Sequence, residues 1–314
     1  MARARETPAA KTPAVTLTIA LAILTLAVCT RAQELPPLSH QIVGRKFDYT
    51  IQKGDNWIKL AAHFGVGAAV IAADNGVALG SIMTAGKTLR IDNRHVVPSP
   101  LADGIIINLP QRMLYFFQDG KLKGAYPAAV GRVAPQWRTP IGKFRIIDLR
   151  EHPTWRVPDS IQQEMRANGD KPVSVVPPGP DNPLGNYWIG ISLPSIGIHS
   201  TNSPLGIYGF HTHGCIRISP ANAESLFKSV EIGGRGEVIY EPILLARTSD
   251  GRIFLEVNRD AYKRGISGID FVRKLAQARH LSDFIDWSSA ADATSRANGI
   301  ARDVTASTRS GTAR

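Results

Sequence analysis

At 314 residues, 43% apolar and 20% charged, the chain has a globular composition and is long enough to bury a core in more than one domain. Its formal charge of +11 admits an acidic polymer, an anionic membrane or a nucleic acid as partner. No basic run is interleaved with aromatic residues, which argues against nucleic acid.

The N-terminus speaks for export. Arg3, Arg5 and Lys11 precede the apolar run AVTLTIALAILTLAVC (residues 14–29), and Thr30-Arg31-Ala32 puts small residues where a signal peptidase reads. Residues 1–32 are therefore expected to be a secretory signal, cleaved after Ala32. An uncleaved anchor is the alternative, but a membrane span typically needs ~20 apolar residues. Lipidation at Cys29 is a third reading, opposed by the bulk of Val28. Cleavage removes four cations and Glu6 and leaves a charge of +8. Cys29 departs with the signal, so Cys215 becomes the single thiol and has no internal disulfide partner. An exported lone thiol risks oxidation and mispairing, which calls for a chemical role. The bland alternative is a buried cysteine acting as a small hydrophobe.

Residues 33–46, with Pro36 and Pro37, read as a linker. In residues 47–92 the alternation of Phe47, Tyr49 and Ile51 predicts a half-buried strand. Gly54 turns the chain, and Asp55 is the expected cap of a helix carrying Trp57, Leu60, Ala61 and Phe64. A second helix is predicted over 67–75 and a strand over 87–91. The order strand, helix, helix, strand, with Tyr49, Gly54-Asp55, residues 61–64 before Gly65-Val66, Asn75, Gly86 and Leu89, resembles a LysM domain. That resemblance implies binding to N-acetylglucosamine-containing glycans such as peptidoglycan.

Pro98 and Pro100 mark a second linker, and strand-rich sequence follows from Gly104. Apolar runs at 105–107, 114–117 and 125–130 are divided by turn residues. Residues 148–186 hold many prolines and few regular runs, so a long loop is expected, of the kind that often forms lids. Strands resume at 187–192 and 196–199, and Ser219-Pro220 is a helix start with Ser as cap and Pro at the first position. A catalytic region over 104–241 is followed by an appendage, 242–287, with a strand over 253–257 and a helix over 269–278. Residues 288–314, rich in Ala, Ser, Thr and Arg without periodicity, are expected to be disordered.

The chemistry concentrates in GFHTHGCIRIS (residues 209–219). A thiol attacks an amide as thiolate, and an imidazole can take its proton. The oxyanion that forms needs backbone N–H donors, for which His213, Gly214 and Cys215 are candidates because glycine lets the chain bend there. Arg217, two residues on, offers a fork for a carboxylate. His211, His213 and Cys215 could instead be zinc ligands on one strand face. A turn at Gly214 would break that register, and no further ligand lies nearby, so no metal is expected.

TPIGKFRI (139–146), PPGPDNPLGNYWIGIS (177–192), GIHSTN (197–202) and THGCIR (212–217) resemble, in order, the YkuD-type L,D-transpeptidases, the ErfK/YbiS/YcfS/YnhG group. The resemblance implies a mostly β catalytic domain, a YkuD-like β-sandwich with a short helix, preceded here by the small βααβ LysM domain. It implies Cys215 as nucleophile, His199 as general base with the Ser200 carbonyl orienting it, and an oxyanion hole of the His213 and Gly214 amides. His213 is also a candidate proton donor, and Arg217 and Thr212 are the substrate-binding residues. Ser200 and Thr212 depart from the family's usual glycine and serine, both conservatively. Also implied are a periplasmic location, no cofactor, inhibition by carbapenems, and peptidoglycan as partner: a tetrapeptide stem as donor, and a second stem or a lipoprotein as acceptor. With water as acceptor the same site would be a stem-peptide hydrolase. A non-catalytic wall-binding protein is the remaining class, disfavoured by the intact Cys215, His199 and Arg217 set.

Overall fold

The computed structural model describes residues 35–99 and 101–307. The expected signal over 1–32 lies outside them. The chain enters along the C-terminal part of the fold. Ser39 bridges to Ala246, donating its N–H to Leu245 and accepting from Arg247, each at 2.9 Å. The residues read as a linker are therefore docked, because their backbone groups find strand partners.

In the N-terminal module, β1 (Ile42–Val43) leads to β2 (Lys46–Thr50), α1 (Trp57–Phe64), α2 (Ala68–Asp74), β3 (Thr88–Asp92) and β4 (His95–Val96). β2 pairs antiparallel with β3, and β1 with β4. The expected βααβ order is present, but the cap of α1 is Asn56, which accepts from Lys59 N–H at 2.9 Å. Asp55 is engaged elsewhere, accepting the Tyr49 hydroxyl at 2.7 Å and the Gln52 N–H at 2.8 Å. Trp57 lies in the module's core and donates its indole N–H to Ser81 O.

The catalytic region runs through β5 (Gly104–Asn108), β6 (Met113–Gln118), β7 (Lys121–Gly131), β8 (Gly142–Glu151), β9 (Trp155–Arg156), α3 (Asp159–Ala167), β10 (Val175–Val176), β11 (Tyr187–Ile191), β12 (Gly197–His199), β13 (Phe210–Thr212), β14 (Ile216–Ile218), α4 (Pro220–Phe227) and β15 (Arg235–Ile239). Its large sheet has the order β13-β7-β14-β12-β11-β8-β15-β5-β6, and β6 pairs again with β7. The sheet therefore closes on itself, a barrel-like form of the expected β-sandwich. Ile and Val from its strands fill the interior against α4, which Ser219 caps and Pro220 opens as the sequence indicates. Residues 148–186 are not all loop. They finish β8, pair β9 with β10 and form α3. That helix buries no residue, so it lacks the apolar stripe by which a helix is recognised in sequence.

The C-terminal part, β16 (Ile243–Arg247), β17 (Ile253–Val257), α5 (Ile269–Ala278), α6 (Trp287–Arg296) and β18 (Arg302–Asp303), forms a three-stranded sheet covered by helices around its own core. The disorder expected from residue 288 is corrected as far as 307. Asp286 caps α6, and Ala290 and Ala293 bury its inner face. Alanine methyls suffice at a close helix–sheet approach, but their periodicity is invisible among alanines and serines.

A buried polar knot joins all three parts. Glu256 of β17 is wholly buried. It faces His95 Nδ1 at 3.1 Å and accepts from Val96 N–H at 2.7 Å, Gln111 at 2.8 Å and Asn258 at 3.0 Å. The other His95 ring nitrogen meets Gly65 O, at the end of α1, at 2.9 Å. Ile300 enters the core of the N-terminal module, and Arg302 reaches Asp74 and Asp92 at 3.5 and 3.3 Å. The module is thus completed by residues from outside 47–92.

Burial alone would push the His95 imidazole down. The charge and hydrogen bond of Glu256, helped by Gly65 O and opposed by Arg112, leave it raised above its ordinary value. Folded protein then holds a proton that the unfolded chain has lost. This contribution is full below the unfolded value of ~6.5 and disappears as pH rises through the folded value. Urea unfolding across neutral pH is expected to show this falling limb, and Glu256→Gln to remove it. Glu256→Ala, which strands a buried imidazolium, is expected to destabilise by ~3–5 kcal/mol.

Candidate active site

β12 and β14 lie side by side and parallel, with Ile198 opposite Ile216 and His199 opposite Arg217. Cys215, one residue before β14, is therefore brought level with Gly197, two residues before the histidine. Motifs separated by more than ten residues meet here through sheet pairing.

Cys215 is half-buried, and its thiol donates to Ser195 O at 3.8 Å. Burial raises the thiol above its ordinary value, while a backbone hydrogen bond from Gly197 and the charge of Arg217 pull the other way. His199 is buried, and its Nδ1 meets Ser200 O at 2.6 Å. A carbonyl only accepts, so Nδ1 carries the proton and Nε2 is left with its lone pair. Trp188 stacks on the ring at 6.2 Å between centroids. Burial, then the Arg217 charge, lowers the imidazole to about 3, against the pull of the Ser200 and Leu184 carbonyls. Burial thus disfavours the charged form of both the thiol and the imidazole.

The turn carrying Cys215 is held by its own polar groups. Thr212, buried at the end of β13, donates its hydroxyl to Cys215 O at 2.6 Å and accepts Gly214 N–H at 3.2 Å. Its hydroxyl serves inside the turn, not at a substrate-facing surface. The Gly214 amide, a candidate oxyanion donor in the sequence, is likewise engaged. Gly214 has φ 118°, and a Cβ there would meet Ile196 Cδ1 at 3.0 Å, so only glycine fits. The His213 ring points away from the thiol, with Nε2 on the Glu164 carboxylate of α3. Arg217 loses some of its ordinary basicity to burial, countered by the adjacent thiolate form of Cys215. The His211 imidazole is lowered by burial and by the charges of Arg217 and Arg112.

Two supports carried no sign of a role in the sequence. Thr139 donates its hydroxyl to Gly214 O at 2.7 Å and accepts Gly131 N–H at 2.9 Å. Tyr262 donates to Gly131 O at 2.8 Å and accepts Thr139 N–H at 3.3 Å. Thr139 lies within the TPIGKFRI motif, which could have flagged it. Tyr262 lies far along the chain and had no local signal.

Comparison with known proteins identifies two domains. The LysM domain family matches residues 49–92 and the L,D-transpeptidase catalytic domain family residues 102–239. The probable L,D-transpeptidase YcfS of Escherichia coli is 31% identical over 232 residues, 72% of this chain and 72% of that protein. The probable L,D-transpeptidase ErfK/SrfK of the same organism is 29% identical over 228 residues, 71% of this chain and 73% of that protein. A solved L,D-transpeptidase of Enterococcus faecium is 25% identical, covering 44% of this chain and 49% of its own, with a TM-score of 0.32. The chain belongs to the YkuD-type L,D-transpeptidase family and carries a LysM domain ahead of the catalytic domain.

Thr139→Val would leave Gly214 O and Gly131 N–H without their partner. It is expected to destabilise the protein by ~1–3 kcal/mol, read as a lower urea midpoint at constant slope. Tyr262→Phe should cost less, since Thr139 still holds the turn.

Proposed function

We propose that the chain is an exported, periplasmic acyltransferase that uses Cys215 to take up peptidoglycan stem peptides as thioesters. The observation that carries this reading is the single orientation of His199, whose Nδ1–H is fixed on Ser200 O so that Nε2 is the acceptor on the strand beside Cys215.

In this scheme the Cys215 sulfur attacks the carbonyl at the L-centre of the third stem residue as its proton passes to His199 Nε2. The tetrahedral oxyanion is met by backbone N–H groups of the 213–215 turn. Because Gly214 N–H already donates to Thr212, the His213 and Cys215 amides are the principal donors. Collapse breaks the amide, His199 returns the proton to the departing amine of D-alanine, and the thioester remains. An acceptor amine then attacks the thioester, loses a proton to His199 and restores the thiol. Arg217 is assigned to the donor's carboxylates and is held near the sulfur by the sheet register. Acceptors are a second stem, giving a link between two third residues, or a lipoprotein. The LysM domain supplies glycan affinity, and no cofactor enters.

Incubation with a disaccharide-tetrapeptide, read by mass spectrometry, tests the reaction. A dimer lacking one D-alanine is expected. A monomeric tripeptide alone would make the enzyme a hydrolase, and no change would leave wall binding as the function. Cys215→Ala should abolish turnover and keep the fold. His199→Gln should slow carbapenem acylation of Cys215 by ~10²–10⁴-fold, the worth of general-base catalysis, while His213→Gln keeps most of the rate.

A neutral resting pair predicts a pH dependence. Iodoacetamide alkylation of Cys215 should climb with pH through and beyond the ordinary thiol value of ~8.5. A fast plateau at mildly acidic pH would mean a preformed ion pair and sink this account of the resting state.

A further inference from the structure

A second cluster of charged groups touches the nucleophile turn without any part in the acyl-transfer scheme. Glu164 projects from α3 and takes both arms of the Arg132 guanidinium, at 2.8 and 3.0 Å. The same carboxylate holds His213 Nε2. Trp137 closes the group, its ring edge-on to His213 at 4.5 Å and under the Arg132 guanidinium at 5.0 Å. The hydrogen bonds from Arg132, then His213, lower the Glu164 carboxyl to about 2, so it is ionised at neutral pH.

The constraints on the turn show what this cluster can do. Thr212 O accepts Arg132 N–H at 2.9 Å, Gly214 O accepts Thr139, and Cys215 O accepts Thr212. Within residues 212–215, the His213 side chain is gripped by α3, while the Cys215 thiol reaches only the carbonyl of Ser195, at 3.8 Å. The φ and ψ of His213 set the direction of its own amide and of the peptide plane leading to Gly214. The grip comes from α3, which has no fully buried residue, its Ile161 and Met165 being half-buried, so the Glu164 contacts are among those that tie it to the fold.

We propose that Glu164 is a positioning residue for acylation: by holding the His213 imidazole it fixes the peptide planes of the nucleophile turn. The inference rests on Cys215 being the nucleophile. It explains why the His213 ring faces away from the thiol it neighbours, and it makes the α3 segment part of the active machinery.

The test compares two reactions of Cys215 in the full-length protein. Carbapenem acylation passes through an oxyanion and depends on the amides of the turn, whereas iodoacetamide alkylation needs the thiol alone. Glu164→Ala is expected to slow acylation by about 10- to 100-fold, the range for a misplaced reacting group, with alkylation and its pH profile unchanged. His213→Ala should lose the same factor, and the double variant no more than either single one. Glu164→Gln and His213→Gln each keep one hydrogen bond across the contact and should retain most of the rate. Should Glu164→Ala fold poorly, Glu164→Asp, still ionised but one methylene shorter, is expected to show the same split. The proposal is overturned by losses that multiply in the double variant, by alkylation falling in step with acylation, or by unchanged acylation in Glu164→Ala. Absence of any adduct in the wild-type enzyme would instead refute Cys215 as nucleophile.

Discussion

A carboxylate without solvent ties the molecule together. Glu256 lies within the C-terminal sheet, and its charge is met by a histidine between the N-terminal and catalytic domains, by a glutamine of the catalytic sheet and by a backbone amide. Removing any one partner would leave a buried charge poorly compensated, a cost far above that of breaking a surface ion pair. The three parts therefore hold one arrangement relative to one another. The glycan-binding family's domain sits against the catalytic sheet, with α1 packed on the turn at Pro204–Gly206. That turn lies in the loop between the histidine strand β12 and the strand leading to Cys215.

The same C-terminal part reaches under the turn that carries Cys215. Tyr262 follows β17 closely in sequence, and its hydroxyl joins Gly131 to Thr139, which in turn holds Gly214 O. A region that reads as an appendage is thus a support for the reacting turn. The arrangement follows a general need of thiol acyl transfer, in which the amides facing an oxyanion must be unpaired and yet rigid. Here the carbonyls of Thr212, Gly214 and Cys215 are all satisfied, so the turn is stiff while amides beside the thiol remain for the reaction.

Electrostatically, the surroundings of Cys215 and His199 favour their neutral forms. Burial disfavours charge on both Cys215 and His199, and Arg217 opposes an imidazolium while favouring a thiolate. A neutral thiol is a poorer target for oxidants than a thiolate. The stability side has the opposite sign to that of His95. Holding His199 neutral contributes fully above the unfolded value of ~6.5 and is lost as pH falls toward its folded value.

Much of this was legible in sequence because it is local. Alternation in residues 47–51, the Ser219-Pro220 start of α4 and the αL-prone Gly214 each follow from a few adjacent residues and their backbone preferences. The four motifs around Thr139, Asn182, His199 and Cys215 identified the family, and the resemblance implied Cys215 and His199 as the reacting pair. Three features depended on which surfaces meet, and no window of sequence holds that information. Asp55 lost the helix cap to Asn56 because Tyr49 folds back onto it across the module. Helix α6 exists because Ala290 and Ala293 find a sheet to lie against, and α3 is tied down by Glu164 across the fold from Arg132 and His213. Sequence by itself determined the chemistry available at Cys215. Tertiary structure decided the direction in which that thiol's acidity is shifted and the contacts that hold the turn beside it, because both arise from burial and from groups brought near by strands distant along the chain.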